Sequence, residues 1–138
     1  MNKIPDDLPR RILEGSPDAV LIADRGGTVR FWNAAAQRVF GFSETEALGR
    51  SLDIIIPEQF RDRHWTAWKN VMESGETRYN DGRLLAVPAL GKGGRRLSIE
   101  FSIQLLEGPG GRIEHVTAII RDVTQRYLRE KELRAQSR

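Results

Sequence analysis

"RLSIEFSIQL", residues 96–105, alternates without a fault: Leu97, Ile99, Phe101, Ile103 and Leu105 are apolar, with Ser98, Glu100, Ser102 and Gln104 between them. A period of two is that of a strand with one face packed and one face wet. Such strands belong in antiparallel sheets covered on one side. Reading outward, the turn "EGPGG" leads to a second strand, "IEHVTAIIRDV" (113–123), and "GKGG" (91–94) is the turn from a preceding strand, "RLLAVPAL" (83–90), in which Pro88 marks an edge or a bulge. Near the start, "AVLIAD" (19–24) and "VRFWN" (29–33) flank the glycine turn "RGGT" and form a hairpin.

The segments between these strands read as helices. Asn33 can cap "AAAQRVFG", Ser43 and Glu46 form a capping box for "SETEALG", and a longer helix runs from about Glu58 to Ser74. Gly41, Gly49 and Gly75 are read as helix stops. Residues 5–14 make a short N-terminal helix closed by Gly15, and "TQRYLREKELRAQ" (124–136) is a charged helix leaving the domain. Two strands, several short helices, one longer helix and three strands predict an α+β domain, a five-stranded antiparallel sheet with helices on one face.

Composition narrows the function. The 138 residues contain no repeat and fit one domain with extensions, divided here as an N-terminal helical cap (1–15), the core domain (16–124) and a signalling helix (125–138). No cysteine is present, so disulfides, thiolate metal sites and flavin–thiol photochemistry are excluded. No apolar run is long enough to span a membrane or serve as a signal peptide, and the expected location is cytoplasmic. The charge of +3 comes from 22 basic and 19 acidic residues interleaved along the chain. That pattern is a solvated surface of mixed sign and argues against direct nucleic-acid binding. Walker loops, dinucleotide-binding glycines, HExxH and nucleophile elbows are all missing, so no enzyme is expected.

One of only two histidines lies in "RDRHWTAWKNVM" (61–72). On helical spacing Phe60, His64, Trp68 and Val71 or Met72 share a stripe, so the imidazole points where the apolar residues point. A histidine in that position is a packed side chain with a satisfied hydrogen bond, a proton switch or a metal ligand. His115 alternates with Thr117 and Ile119 and falls on the outer sheet face. The exit helix carries Val123, Tyr127, Leu128 and Leu133 among charges, a stripe that cannot bury itself alone. The N-terminal helix offers Leu8, Ile12 and Leu13 in the same way. A homodimer using these helices and the sheet face around Thr117 and Ile119 is expected.

From Ser16 to Thr124 the chain resembles a PAS sensor domain. "SPDAVLIADRGGTVRFWNAAAQRVFGFSETEALGR" is similar to the opening half of that family, and "GGRRLSIEFSIQLL" with "IIRDVTQR" to its closing sheet. "DVT" (122–124) is similar to the junction through which such domains signal. The resemblance implies a sensory module that passes the state of its pocket to a downstream effector or kinase domain in bacterial two-component or transcription regulation. The alternative it leaves open is a cofactor-free module for dimerisation or protein interaction.

"PEQFRDRHW" (57–65) further resembles the ligand helix of haem-binding PAS domains of rhizobial oxygen sensor kinases of the FixL type. That resemblance implies haem as cofactor, His64 as the axial metal ligand and Arg83 as the distal donor to a bound gas. Trp68, Phe101, Ile103 and Ile120 are expected to complete the pocket. Phe101 departs from the aliphatic residue of that subgroup and puts a larger ring on the distal wall.

Overall fold

The computed structural model describes residues 4–77 and 84–137. The alternating stretch forms strand β4 (Arg96–Glu107), joined by a hairpin to β5 (Ile113–Asp122) and preceded by β3 (Leu85–Leu90). The early hairpin is β1 (Ala19–Asp24) and β2 (Val29–Trp32). All pairings are antiparallel, in the order β2-β1-β5-β4-β3, so the first strand pairs with the last. The five-stranded antiparallel sheet of the sequence reading is therefore present.

The helices follow the local signals closely. Helix α1 covers Leu8–Gly15, α2 Ala34–Phe40, α3 Glu44–Ala47, α4 Arg61–Ser74 and α5 Thr124–Gln136. The capping box is complete, with the Ser43 side chain accepting from the Glu46 amide and Glu46 accepting from the Ser43 amide. Single turns of 3-10 helix at Leu52–Ile55 and Glu58–Phe60 lead into α4. No periodic signal announced them, because a single turn leaves none. Among the described residues no helix is long and apolar enough to cross a membrane.

The core lies between the inner sheet face and these helices. It includes Leu21, Ala23, Trp32, Ala36, Phe40, Leu97, Ile99 and Ile120. Trp32 packs its ring 5.5 Å from that of Phe40 and donates to the Phe42 carbonyl at 2.9 Å. Burial along β4 is complete only at Leu97 and Ile99. Phe101 and Ile103 stay half-buried, since they face a cavity rather than packed side chains.

Asn33 is more than the helix cap expected of it. Its Oδ1 accepts from the amides of Ala36 and Val20, each at 2.9 Å, and its Nδ2 donates to the carbonyls of Leu13 (2.9 Å) and Asp18 (3.1 Å). One side chain thus caps α2, holds the start of β1 and ties down the end of α1. It is only 3 % exposed, so each of those groups depends on it rather than on water.

The outer face departs from expectation at one place. His115 and Ile119 are exposed, but Thr117 is buried at 8 % exposure. It keeps the outward parity of its strand. However, β5 is the middle strand, and Ile22 on β1 and Gln104 on β4 flank Thr117 in register, which closes it off. In α1 Leu8 and Leu13 are half-buried and Ile12 alone of the three is largely free.

Replacing Asn33 with Ala should cost roughly 2–4 kcal/mol, since it leaves several buried backbone groups unpaired at once. Urea unfolding of the purified domain measures this. A loss within a few tenths of a kcal/mol, as for a surface cap, would show that water replaces the amide.

Candidate functional site

Helix α4 crosses the inner face of the sheet without filling the space beneath it. A cavity of about 440 Å³ remains, walled by the 3-10 turns and α4 on one side and by β1, β3, β4 and β5 on the other. Its sheet wall is wholly apolar, including Val87, Ile99, Phe101, Ile103, Ala118 and Ile120. From α4 come Arg63, His64, Ala67 and Trp68. The expected pocket residues His64, Trp68, Phe101, Ile103 and Ile120 thus meet around one space. Arg83 lies outside the described residues.

Three contacts that sequence reading missed hold α4 in place. The Arg25 guanidinium donates to the carbonyls of Ile113 (2.7 Å) and Met72 (3.2 Å), joining the start of β5 to the last turns of α4. The Arg25 carbonyl accepts from the Trp68 indole at 2.8 Å. Trp65 donates its indole N–H to the Asp53 carboxylate at 2.7 Å, and its ring lies so close to Gly27 that a Cβ there would sit 2.3 Å away. Gly27 also has a φ of +82°, so glycine is required there both by conformation and by space. The turn that reads locally as a hairpin connection is the anchor of the helix.

Asp24 shapes that turn. Its carboxylate accepts from the amides of Gly26 and Thr28, both at 3.0 Å, and from Arg30 at 2.9 Å. Read from sequence this stretch is the glycine turn "RGGT", and the contacts that Arg25 and Gly27 make with α4 leave no local signal.

His64 sits in an aromatic setting, 4.5 Å from the Trp65 ring in an edge-on arrangement and 5.7 Å from Trp68. Its Nδ1 is buried and has no hydrogen-bond partner among the described residues. Of the readings open for this residue, the packed histidine with a satisfied hydrogen bond is therefore not the one found. Burial pushes its pKa below the ordinary 6.5, against the upward pull of the Asp53 carboxylate. Burial thus favours the uncharged ring.

A histidine on the wall of an apolar space fits a planar, largely apolar group that takes a nitrogen ligand, as haem does. Among the described residues no group of three or more histidine, cysteine or acidic side chains could hold a bare metal ion. Arg61, which donates to the carbonyls of Ile56 (3.0 Å) and Asp53 (3.2 Å), braces the entry to α4 rather than the cavity.

Comparison with known proteins agrees with this architecture. A family profile described as PAS fold matches residues 13–128. The sensor protein FixL of Bradyrhizobium diazoefficiens is 32% identical over 121 residues, which cover 84% of this chain and 22% of that protein. The oxygen sensor protein DosP of Escherichia coli is 22% identical over 122 residues, covering 88% of this chain and 15% of that protein. The chain therefore spans about a fifth or less of the curated relatives it matches. Among solved structures, an RNA-binding light-oxygen-voltage receptor superposes with a TM-score of 0.77 at 22% identity, covering 99% of this chain and 39% of that one. A PAS domain from Colwellia psychrerythraea superposes with a TM-score of 0.72 at 21% identity, covering 87% and 99%.

The depressed pKa of His64 has a consequence for stability. Below 6.5 the unfolded chain takes up a proton that the folded imidazole resists, so stability is full above that pH and falls as pH drops towards the folded value. The urea midpoint should decline over this window, and His64→Leu should flatten the decline. An unchanged pH profile in the variant would show that His64 is not the group responsible.

Proposed function

The chain belongs to the PAS fold family, and on that premise we propose that it is the sensory domain of a signalling protein, holding haem against His64 and responding to a diatomic gas. The observation that carries this reading is a histidine on the wall of an apolar cavity whose Nδ1 is buried and has no partner among the described residues. Residues 16–124 form the sensing unit, with 1–15 and 125–138 as flanking helical segments.

Haem, when bound, would supply an iron centre able to take a diatomic gas. His64 would be its protein ligand, with its ring packed against Trp65 and Trp68. Ile99, Phe101 and Ile103 keep water from the opposite wall, and the Phe101 ring limits the space there. Arg83 as a cationic donor to the gas rests on the sequence resemblance.

Strand β4 supplies the route outward. Ile99 and Phe101 face the cavity, while the residues alternating with them hold α5. The Ser98 carbonyl accepts from the Val123 amide at 2.8 Å, the Ser98 amide donates to the Thr124 hydroxyl at 3.0 Å, and Glu100 forms an ion pair with Arg126. A ligand that displaces Phe101 thereby moves the seat of the exit helix. The recipient is an effector or kinase domain in a cytoplasmic two-component or transcription-regulating system.

Reconstitution with haem should give an intense Soret band, which His64→Ala loses while its far-ultraviolet circular dichroism stays unchanged. A protein that stays colourless overturns the haem reading and leaves the second, a cofactor-free module for dimerisation.

The second reading draws on the apolar side chains left exposed, Ile12 (61 %), Ile119 (43 %) and Leu133 (63 %) with Tyr127 and Leu128. Either reading has the chain form a homodimer through α1, the outer sheet face and α5, because such short charged helices are marginal unless packed. Light scattering at micromolar concentration should give twice the monomer mass, and removal of residues 1–14 should weaken the dimer. A strict monomer would exclude the interface.

A further inference from the structure

The cavity under α4 is not the only concave site. A second groove, also of about 440 Å³, lies where the start of β4 meets the first turns of α5. Its rim carries Arg95, Arg96, Arg126 and Arg129, and the half-buried Val123 contributes apolar surface. The groove exists only because the Ser98 and Thr124 bonds seat α5 on β4.

The charges in it are not balanced from within the fold. Arg126 is neutralised by Glu100, and Arg95 is steered by one bond to the Val39 carbonyl at 2.7 Å. Arg96 and Arg129 have neither an ion pair nor a hydrogen bond among the described residues. The single carboxylate of the lining, Asp122, is engaged by the amide (2.9 Å) and hydroxyl of Thr124. Arg96 and Arg129 therefore line the groove without an anion to meet them, while Arg95 adds positive charge at its rim. Guanidinium forks match carboxylates with paired, parallel hydrogen bonds, and the match is worth most where the neighbouring surface is apolar.

We propose that this groove is a docking site for a short acidic peptide segment of a partner protein, with Arg96 and Arg129 gripping its carboxylates and the half-buried Val123 taking an apolar side chain beside them. Charge complementarity selects the acidic partner. A nucleic-acid backbone calls for a continuous basic stripe, whereas here Glu100 and Glu130, the latter 3.9 Å from Arg126, interrupt the positive surface. The site spans β4 and α5, so an occupant fixes their relative position. This inference holds whatever fills the cavity under α4.

Fluorescence anisotropy with a labelled hexapeptide of glutamates around one leucine tests it on the full chain. Binding should weaken at least tenfold in the double variant Arg96→Glu/Arg129→Glu, and should weaken with added salt. Both residues are exposed, and thermal unfolding should confirm that the fold is kept. The comparison variant Lys69→Glu/Arg112→Glu makes the same change of net charge, with Arg112 beyond the opposite end of β4. Equal weakening in both variants would reduce the effect to net charge and overturn the proposal. So would no binding of the acidic peptide, or tighter binding of a single-stranded DNA oligomer than of the peptide.

Discussion

Arg25 is the constraint on which the site depends. Its guanidinium joins residues 47 and 88 positions away in sequence, and its carbonyl receives the Trp68 indole. Hydrogen bonds from a charged donor contribute more than neutral ones, about 1.5–3 kcal/mol each, so this is a strong fastening for one end of α4. An apolar space of about 440 Å³ runs against the tendency of protein interiors to close-pack. Polar contacts fasten the edges of α4 on either side of it, and Met72 in the last turns packs on Ile113 and Val116 of β5. Trp65 against Gly27 and Asp53 provides a second fastening on the same helix.

Two buried polar residues show how the same physics serves structure and function. Asn33 makes bonds to backbone groups of α1, β1 and α2 and leaves nothing unpaired on its amide oxygen or nitrogen. His64 has a buried nitrogen with no hydrogen-bond partner among the described residues. An unmet buried polar group costs free energy, and natural sequences keep one where something else is gained. The contrast is what the proposed role of His64 rests on, Asn33 being the more tightly buried of the two.

Strand β4 connects the cavity to the exterior through its pleat alone. Side chains of odd number face the cavity and the core, and Ser98 and Glu100 between them hold the exit helix. No moving loop is needed to connect the two, because adjacent residues share a backbone. The groove beside α5 is a product of the same seating, so changes at either face of β4 bear on it.

The sequence by itself determined the elements, their antiparallel arrangement and the face on which each strand residue lies. The alternation of 96–105, the Ser43–Glu46 box, the Asn33 cap and the 124–136 helix were all legible, because periodicity and capping act within a few residues of chain. It also determined that His64 and Trp68 share a helix face, and so that His64 would look inward. Only the tertiary structure decided that this face borders a cavity, that Arg25 and Asp53 hold the helix over it, and that Thr117 is closed off by strands on both sides. Those outcomes depend on partners tens of residues away, brought close by pairing the first strand with the last. A period in the sequence records which way a side chain points, but what it meets there is set by chain segments that no local pattern connects.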